Sequence, residues 1–102
     1  MATILDARNY VGTGLPATNG QRLADEVPRQ DAATWGDLVI DARGCPPEYL
    51  NSALFNAFWQ RLFENQPSRM TEAKSIRWEF AHSFQKTIID FLRERFKPRQ
   101  PA

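Results

Sequence analysis

Short apolar runs and longer amphipathic stretches alternate along this chain. Residues 38–41, Leu-Val-Ile-Asp, form an apolar run closed by an acid, which is typical of a strand buried on both faces. Further on, apolar residues recur at intervals of three and four, which predicts a helix over about 51–65 that begins near Asn51 or Ser52. A strand followed directly by an amphipathic helix is the first half of a βαβ unit.

The second half of the chain repeats this order. Residues 76–80 alternate apolar and charged side chains, which predicts a strand with one buried face near a sheet edge. Another helical stripe predicts a helix over 83–96, and its apolar residues are Phe84, Ile88, Phe91, Leu92 and Phe96. The core residues expected from the two helices are Leu54, Phe58, Leu62, Ile88 and Leu92.

The N-terminal third of the chain is less regular. One or two short strands are expected within residues 2–12, the second of them at Tyr10-Val11. A helix is expected over about 20–27, with Thr18 or Asn19 as its cap. Its core-facing side consists of Leu23, Ala24 and Val27.

This order of elements predicts an α/β fold in which helices pack against a small mixed sheet. The 102 residues suffice for one domain, which we place at residues 1–97 with a short tail at 98–102. Apolar residues make up 42% of the chain and aromatic residues 12%, enough to build a core without disulfides. Trp35, Trp59 and Trp78 are expected in the core rather than in a ligand cage, and the alternative for Trp35, which lies in a polar loop, is partial exposure at an interface.

Charge and cysteine usage narrow the class of protein further. The single cysteine, Cys45, excludes an intramolecular disulfide and agrees with a cytoplasmic location. No apolar run approaches the ~18 residues of a membrane span, and no export signal begins the chain, so no membrane association is expected. The net charge is +1, and the excess of basic residues lies near the C-terminus, which argues against a nucleic-acid groove.

The residues around the first clear strand and helix resemble a known family. Val39-Ile40-Asp41 closes the strand and Asn51-Ser52-Ala53-Leu54-Phe55 opens the helix, as in the STAS-like domains related to anti-sigma-factor antagonists. The resemblance covers roughly residues 20–96 and implies a STAS-like α/β sandwich of bacterial or phage origin. It also implies a regulatory module whose Ser52 is phosphorylated by a kinase that acts as an anti-sigma factor. The antagonists usually have Asp-Ser-Ser-Gly where this chain has Asn51-Ser52-Ala53.

The loop between this strand and helix is the candidate functional site. Because α/β sheets bind ligands at the carboxyl ends of their strands, we expect a protein partner to dock on Gly44, Glu48, Asn51 and Ser52. A phosphate on Ser52 would face free N–H groups at the start of the helix, whereas in the alternative reading Ser52 only caps it. The expected partner is a kinase-like anti-sigma factor or a larger complex. The alternative function is a small phage- or host-encoded inhibitor that occludes a larger complex.

A catalytic alternative is weaker. Cys45 and His82 follow two strands and would lie along one edge of a parallel sheet, where a thiol and an imidazole suit a nucleophile and its base. No oxyanion motif or orienting residue accompanies them, so the sequence predicts no enzyme and a small buried thiol at Cys45. Asp41 is a single carboxylate and is expected to form a turn with Gly44. Neither a metal nor a cofactor is predicted.

Overall fold

The computed structural model describes residues 3–12, 14–30, 34–81 and 83–95, apart from the side chains of residues 70, 83, 84 and 92–95. The described strands are β1 (Thr3–Asp6), β2 (Leu38–Asp41) and β3 (Arg77–Glu79). The described α-helices are α1 (Pro16–Glu26), α2 (Ser52–Asn65), α3 (Met70–Ala73) and α4 (Ser83–Arg95). Single 3₁₀ turns lie at Ala7–Asn9, Val27–Arg29, Trp35–Asp37, Pro47–Tyr49 and Pro67–Arg69. The chain is therefore an α/β protein, as predicted, and the tail at 98–102 lies outside the described residues.

The three described strands form one parallel sheet in the order β1-β2-β3. The interior position of the strand at 38–41 and the edge position of the strand within 76–80 are therefore confirmed. The expected mixed sheet is wrong for these strands, because helices return the chain between successive strands and leave them parallel. A strand at Tyr10-Val11 is also wrong, since the N–H groups of both residues donate to the Ala7 carbonyl at 3.0 Å and close a turn.

One face of the sheet packs against the helices. Leu5, Ile40 and Trp78 are cross-strand neighbours on this face, and Ile40 is fully buried. The Trp78 ring meets the rings of Phe55 and Phe58 edge-to-face, with centroids 5.8 Å and 5.0 Å apart. Such pairs contribute beyond the area that they bury, so these aromatic contacts hold α2 against the sheet.

Helix α1 begins earlier than predicted. Pro16 occupies its first turn, where the missing N–H of proline costs nothing, and Leu15 is the N-cap residue. Thr18 and Asn19 are therefore not caps, and Asn19 is buried within the helix. The predicted core-facing side is confirmed, since burial is nearly complete for Leu23, Ala24 and Val27.

The two long crossover helices touch at the backbone. A Cβ atom on Gly20 of α1 would collide with the carbonyl oxygen of Leu54 and would lie 3.1 Å from the nitrogen of Phe58 in α2. Further along both helices, Arg61 Nε donates to Asp25 Oδ1 at 2.9 Å. From Gly20 to Asp25 in α1, the contacts move from Leu54 to Arg61 in α2. Helices α1 and α2 therefore run parallel, with their first turns at the same end of the sheet.

Helix α2 follows the prediction closely. The side chain of Asn51 accepts a hydrogen bond from the N–H of Leu54, so Asn51 is the N-cap residue. Leu54, Phe58 and Leu62 are fully buried, as predicted from their spacing.

Helix α4 agrees with the prediction only in part, since Ile88 packs against the core and Phe91 does not. Gln85 and Ile89 are buried, Ile88 is half-buried and Phe91 is 64% exposed, while the side chain of Leu92 lies outside those described. Gln85 and Ile89 are one turn apart and share the inward side. Gln85 has an interaction partner, which offsets the cost of burying its amide and allows this polar position to face the core.

Trp35 is buried, so its expected place in the core is confirmed and the alternative of partial exposure is wrong. The Arg69 guanidinium lies 3.8 Å from the centroid of its ring and donates to Glu72 Oε1 at 2.7 Å. The same oxygen accepts the backbone N–H of Trp35 at 2.7 Å, and the hydrogen bond from Arg69 lowers the pKa of the Glu72 carboxyl. The polar residues next to Trp35 in the sequence do not indicate this burial, because Arg69 and Glu72, which contact Trp35, belong to a distant segment of the chain.

Removal of the Phe58 ring tests the core. Phe58→Ala is expected to lower the free energy of unfolding by about 3–5 kcal/mol, because the ring fills the space between α2 and Trp78. The matched control is Phe91→Ala, which removes the same ring from an exposed position and is expected to cost less than about 1 kcal/mol. Urea unfolding of both variants measures the difference, and equal losses would contradict this assignment of the core.

The helix crossing gives a second test. Alanine is favoured over glycine inside a helix by about 1 kcal/mol, yet Gly20→Ala is expected to destabilise the protein by about 1–3 kcal/mol because of the collision with Leu54. Thr18→Ala is the control, since Thr18 is exposed on the same helix and should be nearly neutral. A Gly20→Ala protein that unfolds at higher urea than wild type would disprove the close crossing.

Candidate functional site

All three described strands end on an acidic residue at the same edge of the sheet. Asp6 lies opposite Asp41, and Asp41 lies opposite Glu79. The segments that follow β1 and β2 start from this edge because the strands are parallel. We call residues 6–12, 41–53 and 79 the carboxyl edge, and it contains the loop predicted to bind a partner.

Two of these acids open identical turns, Asp6-Ala7-Arg8 and Asp41-Ala42-Arg43. In each turn the aspartate accepts the backbone N–H of the arginine, at 3.0 Å in the first turn and 3.1 Å in the second. The guanidinium then binds the same carboxylate through Nε and Nη2 at 2.8 to 3.2 Å. These side-chain hydrogen bonds lower the pKa of both Asp6 and Asp41.

Sequence reasoning missed this repeated turn, although the same tripeptide closing two strands was a readable signal. The turn expected at Asp41 is present, but the Asp41 carboxylate binds Arg43 rather than contributing to a turn through Gly44. Gly44 instead lies beneath the side chain of Arg8, which a Cβ atom at this position would meet. The two turns therefore touch each other across the ends of β1 and β2.

Cys45 is buried beside these turns, as expected of a small apolar thiol. Its N–H donates to the Ala42 carbonyl at 3.2 Å. Burial raises the pKa of the Cys45 thiol to about 11, and the nearby charge of Asp6 adds to this effect. A thiol with such a pKa is almost entirely protonated at neutral pH and is a poor nucleophile. His82, the suggested base, lies outside the described residues.

At the start of α2, the residue that caps the helix and the exposed residue that follows it are different. Asn51 donates from Nδ2 to the Glu48 carbonyl at 3.1 Å and accepts the Leu54 N–H at Oδ1, also at 3.1 Å. Ser52 is the first residue of α2 and is exposed. Its hydroxyl has no hydrogen-bond partner among the described residues, nor do the N–H groups of Ser52 and Ala53. The reading of Ser52 as the cap is therefore wrong, because Asn51 performs that role.

The four predicted partner-binding residues share one stretch of surface. Gly44, Glu48 and Ser52 are exposed, and Asn51 is half-buried because of its capping hydrogen bonds. The N-cap of α1, Leu15, is 71% exposed at the same end of the sheet, because α1 runs parallel to α2. The carboxyl edge thus combines exposed polar groups with one large apolar side chain that the sequence did not single out.

The described part of the chain contains no group of three or more metal-ligating side chains close enough to hold a metal ion. No helix in that part is long and apolar enough to span a membrane. Comparisons with protein-family models, curated proteins and solved structures gave no match. The similarity to STAS-like domains therefore rests on the residues at 39–41 and 51–55.

The buried thiol predicts a distinctive pH dependence. Alkylation of native Cys45 is expected to become half-maximal only near pH 11, whereas in the unfolded chain this point lies near pH 9. Because the folded state holds this proton more tightly, its contribution to stability is complete below about pH 9 and is lost as the pH rises toward 11. The free energy of unfolding of wild type and of Cys45→Ala, measured across this pH range, gives the contribution of the thiol as the difference. Rapid alkylation of the folded protein at neutral pH would contradict its burial.

Proposed function

We propose that this protein is a non-enzymatic regulatory module that docks a protein partner through Gly44, Glu48, Asn51 and Ser52, and that phosphorylation of Ser52 switches the docking. The observation that carries the proposal is the exposed Ser52 hydroxyl, which has no capping role because Asn51 already caps α2. A serine that is accessible, ordered on a helix and unnecessary for the cap can change its charge without undoing the fold.

The surroundings of Ser52 favour a phosphate electrostatically. Phosphorylation adds about two negative charges at neutral pH. The unpaired N–H groups of Ser52 and Ala53 point out of the first turn of α2, at the positive end of the helix dipole. A phosphate there would be stabilised by the helix and would still present its charge to a partner.

The partner would be a kinase-like anti-sigma factor, as the STAS-like resemblance implies. The exposed surface supports a protein partner rather than a small ligand, because it combines charged and polar groups with the exposed side chain of Leu15. The prolines before Glu48 reduce the freedom of this loop and thereby lower the entropy lost on docking. The raised pKa of the neighbouring Cys45 thiol supports a binding role over a catalytic one.

Affinity purification from the native host, followed by mass spectrometry, would identify the partner and any phosphate on Ser52. The purified partner would then be titrated with Ser52→Asp, which introduces a lasting negative charge. We expect at least about tenfold weaker binding, which corresponds to 1.4 kcal/mol. The melting temperature should be unchanged or slightly higher, because a carboxylate in the first turn of a helix is favourable.

Ser68→Asp is the matched control for this experiment. Ser68 is also exposed, but it follows the C-terminal end of α2, about 20 Å from Ser52 along the helix axis. It should leave partner affinity unchanged, whereas Glu48→Arg should weaken binding by reversing a charge on the proposed surface. Wild-type affinity for both Ser52→Asp and Glu48→Arg would place the docking site elsewhere.

A further inference from the structure

A small cavity beside the carboxyl edge brings two arginines together. It has a volume of about 180 Å³ and is lined by Arg8, Asn9, Tyr10, Val11, Gly12 and Arg22. Arg8 belongs to the turn that follows β1, whereas Arg22 projects from the second turn of α1. The two guanidinium groups therefore come from different elements, and the Asp6 carboxylate that binds Arg8 reduces the repulsion between them.

Arg22 lacks an ion pair among the described residues, although two acids follow it at suitable helical spacing. Asp25 is held by Arg61 at 2.9 Å and by Asn65 at 3.1 Å. Glu26 is held by Arg29 at 2.8 Å. Arg22 therefore forms no ion pair among the described residues, although it lines a neighbouring surface hollow together with Asp25, Glu26 and Arg29.

Arg8 contributes a guanidinium whose direction is already fixed. Its Nε and Nη2 groups bind Asp6, while Nη1 has no hydrogen-bond partner among the described residues. Its stem lies across Gly44, which further restricts the side chain. Among the described residues, Asp6 is the carboxylate that forms an ion pair with Arg8 and Arg22 forms none, so ion pairing alone leaves one positive charge at the cavity. A fixed guanidinium loses little entropy when it binds a further oxyanion.

We infer that this cavity is a binding site for a small tetrahedral oxyanion, the phosphate group being the chemical class that it fits. Arg8 and Arg22 would donate from two sides, and the Asn9 amide supplies a further donor on the cavity wall. The volume accommodates a phosphate group but not a whole nucleotide. The inference does not depend on Ser52 or on the partner proposed above, because none of those residues lines the cavity.

The test is an NMR titration of the ¹⁵N-labelled full chain with inorganic phosphate at low ionic strength. Wild type should show saturable shifts at Asn9, Gly12 and the arginine Nε groups of Arg8 and Arg22, with a dissociation constant of about 1–10 mM. Arg22→Gln should weaken phosphate binding by about tenfold, and the affinity of Arg22→Lys should lie between those of wild type and Arg22→Gln. A parallel titration with O-phosphoserine tells which kind of phosphate group the site prefers. Tighter binding of O-phosphoserine than of inorganic phosphate indicates a phosphomonoester, and weaker binding indicates the free ion.

Arg43→Gln is the matched control, because Arg43 sits in the same kind of turn but does not line the cavity. It should bind phosphate as wild type does. Unchanged shifts in Arg22→Gln, equal weakening by Arg43→Gln, or linear shifts without saturation would each overturn the assignment. Arg22 is exposed, so its variants should fold normally, and the fingerprint spectrum recorded before the titration verifies this.

Discussion

The close crossing of α1 and α2 at Gly20 is the constraint on which the arrangement of this protein depends. A side chain larger than hydrogen at Gly20 would meet the α2 backbone at Leu54, so the distance between the helices is set by their main chains. On the side of α2 that faces the sheet, Phe55 and Phe58 fill the space toward Trp78. The first turns of both helices lie at the same edge because each helix follows a strand of the parallel sheet. Gly20 thus fixes how closely the helix that bears Arg22 packs against the helix that bears Ser52.

The paired aspartate–arginine turns fix the directions of the arginine side chains at this edge and add little to the stability of the fold. Ion pairs of this exposure contribute little to the free energy of unfolding, because water and salt screen them. Their two-point geometry nevertheless restricts Arg8 and Arg43 to one direction each, which free arginine side chains do not have. The lowered pKa of Asp6 and Asp41 keeps both carboxylates charged until the solution becomes strongly acidic, so the orientation persists throughout the physiological range.

The elements that could be predicted from sequence are those whose signal is local. β2 and α2 have unbroken or strictly periodic apolar positions, and Asn51 stands at the cap position of a clear helix. The points that sequence reasoning left open or missed depend on partners distant in the chain. Trp35 is covered by Arg69 and Glu72, and α4 buries Gln85, a polar residue that takes part in an interaction within the fold. The arginine cavity was missed for the same reason, since Arg8 and Arg22 meet only after β1 and α1 pack.

At this edge, the side chains proposed to change charge or bind an anion contribute little to the free energy of unfolding. The groups that maintain the fold there are Asn51, which caps α2, and the buried thiol of Cys45, while the side chains of Ser52 and Arg22 have no hydrogen-bond or ion-pair partner among the described residues. Residues without such partners contribute little to the free energy of unfolding and can exchange charge or bind an ion at small cost. Stability and the proposed charge change therefore rest on the neighbouring but different side chains of Asn51 and Ser52. Changes at Ser52 or Arg22 should be read as effects on binding, whereas changes at Gly20 or Asn51 alter the position of the whole edge.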